Sequence, residues 1–108
     1  MIYQLFVLPH IGRLESKKRP MIVIEVTASS NVSLYAITSK HERKSDTVKR
    51  HLYKIVDWEQ AGLQMQSYID TEAELIALRH QLRARTPIGR LTARDIDGLV
   101  AFLSNKNQ

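Results

Sequence analysis

The sequence contains no cysteine, which excludes a disulfide framework and a thiolate zinc site and leaves stability to packing. Long apolar runs are absent too: stretches such as Met21 to Val26 fall far short of the roughly 20 residues that a membrane helix needs. No basic residues precede the apolar opening Met-Ile-Tyr-Gln-Leu-Phe-Val-Leu-Pro, and no small-residue cleavage site follows it. The opening therefore does not read as a signal peptide, and the cytoplasm is the expected compartment. The four histidines, His10, His41, His51 and His80, are scattered, and no group of acids has the pattern of a calcium or magnesium loop. No metal and no cofactor is expected. There is no internal repeat and no linker.

What remains is an ordinary globular composition. The 108 residues, 44% hydrophobic and 25% charged, suit one domain spanning 1–108. A net charge of +5 and a pI near 9.7 suggest a polyanionic partner, although basic surfaces also serve solubility. The distribution says more. Basic residues crowd Arg13 to Arg19 and Lys40 to Arg50, and Arg79 to Arg94 contains no acid, whereas Asp57 to Glu74 holds five acids and no Lys or Arg. Such segregation favours one basic face, as a nucleic-acid groove would require; a solvated charged surface is the plainer alternative.

Ile2 to Leu8, ended by Pro9, predicts a first strand, and Pro-His-Ile-Gly a loop. Lys17-Lys18-Arg19-Pro20 leads into Met21 to Val26, a β-branched second strand expected to be central. Ala28 to Asn31 reads as a turn and Val32 to Ile37 as a third strand. A polar loop over Lys40 to Asp46 precedes a fourth strand within Val48 to Val56. Asp57 to Gly62 resembles one helical turn capped by Asp57 and ended by Gly62, and Met65 to Ile69 a fifth strand. Glu72 to Arg85 suits a helix by propensity but could hold a strand end and a loop. Ile88 to Leu91 predicts a short sixth strand, and Thr92-Ala-Arg-Asp95 a capping-box start for a terminal helix with Ile96, Leu99, Val100 and Leu103 on one face. Gly98 within that helix points to a close packing contact. About six short strands with a closing helix indicate a mainly β fold, a small curled sheet or barrel.

Two spots could carry chemistry. If the second and third strands form a hairpin, Arg19 before one and Thr38-Ser39 after the other reach the same edge of the sheet. A guanidinium and two hydroxyls can hold a phosphodiester, the arginine forking onto non-bridging oxygens and the hydroxyls donating to developing negative charge. Each motif alone is ordinary: Arg-Pro often starts strands, and Thr-Ser is common turn chemistry.

Taken in order along nearly the whole chain, these segments resemble the MazF/PemK family of toxin endoribonucleases. The matching pieces are the first strand ending in proline, Lys18-Arg19-Pro20 with its apolar strand, Ala36-Ile37-Thr38-Ser39, Val56-Asp57-Trp58-Glu59-Gln60-Ala61-Gly62-Leu63, Ser67-Tyr68-Ile69-Asp70 and Ile88-Gly89-Arg90-Leu91. Val-Asp-Trp and Ser-Tyr-Ile-Asp resemble the PemK-like branch. The resemblance implies an SH3-like β-barrel with a C-terminal α-helix and one or two short helical segments, acting as a homodimer. It implies metal-independent cleavage of single-stranded RNA to a 2′,3′-cyclic phosphate and a 5′-hydroxyl, restrained by an acidic antitoxin. Arg19 corresponds to the catalytic arginine, with Thr38 and Ser39 as the hydroxyl pair at the phosphate.

An acidic residue after the fifth strand works with the arginine in some members, and Asp70 or Glu72 is the possible equivalent here; Asp70 could equally cap the following segment. His10 is a further acid–base or RNA-contacting candidate. Arg13, Lys17, Lys18, Lys40, His41, Arg43 and Lys44 would line the RNA path, or simply a solvated loop. Trp58 and Tyr68 read as core or interface aromatics rather than stacking platforms. Two features depart from the family: no Gly-Asp precedes the first strand, and the loop from Pro9 to Lys18 lacks the usual Gly-x-Glu-Gln-x-Gly run. The departure leaves open a non-catalytic SH3-like module that binds nucleic acid, or a protein-interaction domain.

Overall fold

The run Met21-Ile-Val-Ile24 shows no polar alternation because both of its faces are buried. Ile22 and Ile24 belong to one hydrophobic cluster, Met21 and Val23 to another. The run lies in strand β2 (Lys18–Glu25), between β1 (Ile2–Pro9) and β3 (Asn31–Thr38) and antiparallel to both. The structure, a computed structural model, describes residues 2–9, 18–25, 30–41, 45–72, 74–82 and 85–106.

The remaining elements are helix α1 (Asp46–Lys49), strands β4 (Leu52–Lys54), β5 (Tyr68–Asp70) and β6 (Leu75–Leu78), a 3-10 turn at Arg79–Leu82, strand β7 (Gly89–Arg90) and helix α2 (Ala93–Lys106). The seven strands of the described residues form one antiparallel sheet in the order β4-β5-β3-β2-β1-β7, with β6 also paired to β3. Strand β3 shares one of its edges between two partners. Asn31 to Leu34 pair with Leu78 to Leu75, while Ile37 and Thr38 pair with Ile69 and Tyr68. Its alternation breaks where the partner changes: Leu34 and Tyr35 are consecutive and both buried, one in each cluster. The buried side of β3 thereby passes from one cluster to the other.

The larger cluster joins Leu5, Ile22, Ile37, Ile55, Ile69 and Leu91 to Leu99 of α2, with Trp58, Ile96 and Leu103 packed against it. Each such fully buried aliphatic side chain contributes about 1.5–3 kcal/mol. Phe6, Met21, Val23, Val32 and Leu34 form the smaller cluster with Leu82 of the 3-10 turn. The apolar face expected of the last helix is thus the one that docks, apart from Val100, which is 46% exposed. Gly98 lies against Tyr53, whose hydroxyl a Cβ there would strike, the close contact expected from a glycine in this helix. Among the described residues, no helix is long and apolar enough to cross a membrane.

Several boundaries differ from expectation, each for a local reason. The fourth strand shrinks to Leu52–Lys54 because Ser45 caps a short helix ahead of it, its Oγ accepting from the Val48 N–H at 3.3 Å. Asp57 to Gly62, by contrast, forms the single helical turn expected, with Ala61 N–H bonded four residues back to the Asp57 carbonyl and Leu63 N–H to the Trp58 carbonyl. Gly62 ends it at φ +98°, a left-handed backbone that favours glycine. The fifth strand starts at Tyr68 rather than Met65. Between Glu72 and Arg85 the strand alternative holds for Leu75–Leu78, giving seven strands among the described residues against about six expected, because the open edge of β3 supplies a ladder that outweighs helix propensity.

Candidate functional site

The β2–β3 ladder stops at Met21 opposite Ala36, immediately inside Pro20, which has no N–H to extend it. Arg19 and Thr38 each stand two residues beyond that last pair, so the hairpin brings their backbones to the same end of the sheet. Past this point β3 takes β5 as its partner, and a cleft of about 390 Å³ opens between strand ends and turns. Pro20, Ile37, Thr38, Ser39 and Lys40 border it on one side, and Gly62 to Met65, Ser67 and Ile88 on the other.

Two backbone segments set the far wall. Ala61-Gly62 and Ile88-Gly89 press together so closely that a Cβ on Gly89 would strike the Ala61 carbonyl. Ile88 is held in turn by its N–H on the Leu5 carbonyl at 2.8 Å. Gln66 braces the floor, its Nε2 donating to the carbonyls of Ile55 and Ser67, and the Ser67 hydroxyl donates to the Met65 carbonyl. With these groups internally satisfied, the described side chains that offer polar atoms at the mouth are Thr38, Ser39, Lys40 and Gln64. Thr38 Oγ1 accepts from the Lys40 N–H at 3.1 Å, which orders the turn and leaves the hydroxyl proton to donate. Met65 is 55% exposed and Ile88 40%, so the rim presents apolar surface beside hydroxyls and an ammonium.

The chain matches no family profile and no curated protein. The site therefore rests on its own geometry. Thr38, Ser39 and Lys40 converge on the cleft, with His41 next along the chain. Asp70 does not line it: its Oδ1 accepts from the Glu72 N–H at 3.0 Å, the capping alternative, and Glu72 meets His51 Nε2 at 3.0 Å. His10, Arg13, Lys17, Arg43 and Lys44 lie outside the described residues, and Lys18 and Arg19 are described by their backbone. Among the described lining residues there is no carboxylate and no imidazole, and among the described residues no three His, Asp or Glu side chains gather.

Sequence reasoning missed Gln64, Met65, Ser67 and Ile88 as cleft residues, since a methionine after a turn and an isoleucine before Gly-Arg carry no signal of their own. It also missed a polar lock at the start of α2. Asp95 is fully buried and accepts from Tyr53 Oη at 2.7 Å and from the N–H groups of Val56 and Asp57 at 2.8 Å each. Thr92 Oγ1 accepts the Asp95 N–H at 3.4 Å, one half of the expected capping box. The carboxylate that would complete the box turns to the neighbouring loop instead. Asp57 binds the Arg94 guanidinium and the Thr92 hydroxyl. These contacts, Arg94 first, hold its carboxyl below the usual range, and Asp57 raises Arg94 in return. Burial, then the hydrogen bond to Asp95, pushes the Tyr53 phenol well up. Tyr35 rises to about 12, through burial and the nearby Glu74 carboxylate.

Proposed function

We propose that the chain is a metal-independent endoribonuclease acting on single-stranded RNA, the toxin of a toxin–antitoxin pair, with an SH3-like barrel of the MazF/PemK kind. The observation that carries this reading is the meeting of the β2 and β3 ends, where Thr38, Ser39 and Lys40 border a cleft next to the backbone of Arg19. In this reading the hydroxyls and Lys40 seat a phosphodiester, and the Arg19 guanidinium stabilises the charge that develops on it. The RNA 2′-oxygen bonds to phosphorus as the bond to the 5′-oxygen breaks. The 2′-hydroxyl proton ends on the departing oxygen, so the step balances without water and leaves a cyclic phosphate and a 5′-hydroxyl. A single strand is favoured because its phosphate can rotate into line. An acidic antitoxin segment would cover the basic groove, and two copies would form a homodimer in the cytoplasm.

The test is incubation of the protein with a long single-stranded RNA in EDTA, mapping the cuts and the chemistry of their ends. Discrete cuts bearing cyclic phosphate, lost in Arg19→Ala, are expected; equal cutting by that variant would remove Arg19 from the mechanism.

A second reading is favoured by a specific observation: the described cleft lining holds no carboxylate or imidazole, and Asp70 is engaged in a turn. It is a non-catalytic module binding nucleic acid through the same face. Salt-sensitive RNA binding with no cleavage is its expected signature.

A further inference from the structure

His41 and Tyr68 are stacked, their ring centroids 4.5 Å apart and their planes 19° from parallel. Each follows a cleft residue directly in the chain, His41 after Lys40 and Tyr68 after Ser67. Tyr68 pairs with Thr38 across the β3–β5 ladder, which fixes the ring pair beside the hydroxyl turn. Both residues are half-buried, so the pair lies at the surface rather than within the core. Rings buried in a core exclude a third partner, whereas a stacked pair at the surface can be joined by another ring.

We propose that the His41–Tyr68 pair is a base-stacking platform, binding the nucleobase adjacent to the nucleotide whose base enters the cleft; this rests on the RNA reading above. Consecutive Cα atoms lie about 3.8 Å apart, so the platform begins one residue from the phosphate seat, within reach of the neighbouring nucleotide. The cleft offers one base apolar walls of Ile37, Leu63, Met65 and Ile88, Lys40 meets the phosphate between them, and the platform takes the second base. Such a site selects unpaired RNA, because a base held in a duplex has both faces occupied. It tolerates any base, since every base has a π-face, and purines stack most strongly.

The experiment uses a short 2′-O-methyl oligoribonucleotide, which cannot be cut by its own 2′-oxygen, carrying a single 2-aminopurine moved along the strand. The wild type is expected to quench its fluorescence at one position. His41→Ala should lose that quench and bind about tenfold more weakly, with an unchanged dependence on salt, while His41→Phe keeps the quench. An unaltered quench and affinity in His41→Ala would overturn the platform while leaving the RNA reading intact. So would a retained quench with a shallower salt dependence, which would make His41 a phosphate contact. Failure of the wild type to bind the oligonucleotide at all would remove the RNA reading itself and the platform with it.

Discussion

The lock around Asp95 and the mouth of the cleft are both polar and both built at the ends of strands, yet they treat their polar atoms in opposite ways. In the lock, one buried carboxylate takes two backbone N–H groups and a phenol, and its neighbour Asp57 takes a guanidinium and a hydroxyl. At the mouth, Ser39 and Lys40 are exposed, and Met65 and Ile88 add apolar surface beside them. Satisfied groups hold elements together, whereas groups facing water keep their bonding capacity for a ligand. The lock is therefore structural and the mouth is the place to look for function.

Asp95→Ala should separate the two regions most sharply. It leaves two N–H groups and the Tyr53 hydroxyl without their acceptor, and urea unfolding is expected to show a loss of about 3–5 kcal/mol. A loss under about 1 kcal/mol would mean that water replaces the carboxylate easily, and the contrast with the mouth would collapse. Gly89→Ala should cost about 1–3 kcal/mol, because the new Cβ meets a backbone carbonyl that cannot swing aside. As the same contact forms the cleft wall, this variant should also weaken the proposed RNA binding, which Asp95→Asn should largely spare. Tyr53→Phe, removing one donor of the lock, should cost about 1 kcal/mol by the same denaturation.

The two phenols sharpen the picture at high pH. Tyr35 titrates at about 12 in the fold against 10.0 unperturbed, and Tyr53 is raised further. Raised folded values mean that this stability is fully present below pH 10 and is lost as pH climbs from there towards 12. The melting temperature should fall across that window, and less steeply in Tyr53→Phe. Asp57 has the opposite sign: its depressed value contributes above the ordinary carboxylate range near 3.9 and is lost as pH falls below it. Arg94→Ala should flatten the acid limb of a melting-temperature profile. Ser39→Ala should have the smallest effect on stability, within about 0.5 kcal/mol, while reducing the proposed RNA cleavage by tenfold or more. A marked loss of stability there would show the mouth to be part of the framework.

Much of the fold was legible where burial acts through a local pattern. The two-faced apolar run of β2 announced a central strand, and Ile96, Leu99 and Leu103 announced the docking face of α2. Ser45-Asp46 carries the chemistry of a helix start, a serine cap followed by an acid in the first turn. Leu75 to Leu78 was harder, because its residues favour a helix and become a strand only where β3 offers an open edge. At the site, Thr38 and Ser39 followed from hairpin logic and Lys40 from the basic loop after them, but the far wall did not. Gly62, Met65, Ser67 and Ile88 come from two distant turns that meet through backbone contacts, and such contacts leave no periodic trace.

Composition, charge segregation and the order of strands and terminal helix are properties of the sequence by itself, since each depends on a residue's own chemistry or on neighbours a few positions away. The cleft, the His41–Tyr68 stack and the turning of Asp95 from its own helix to the loop at Val56 and Asp57 were decided by the tertiary structure alone. Each joins groups separated by more than twenty residues, and whether such groups meet depends on how the whole sheet curls rather than on any one segment.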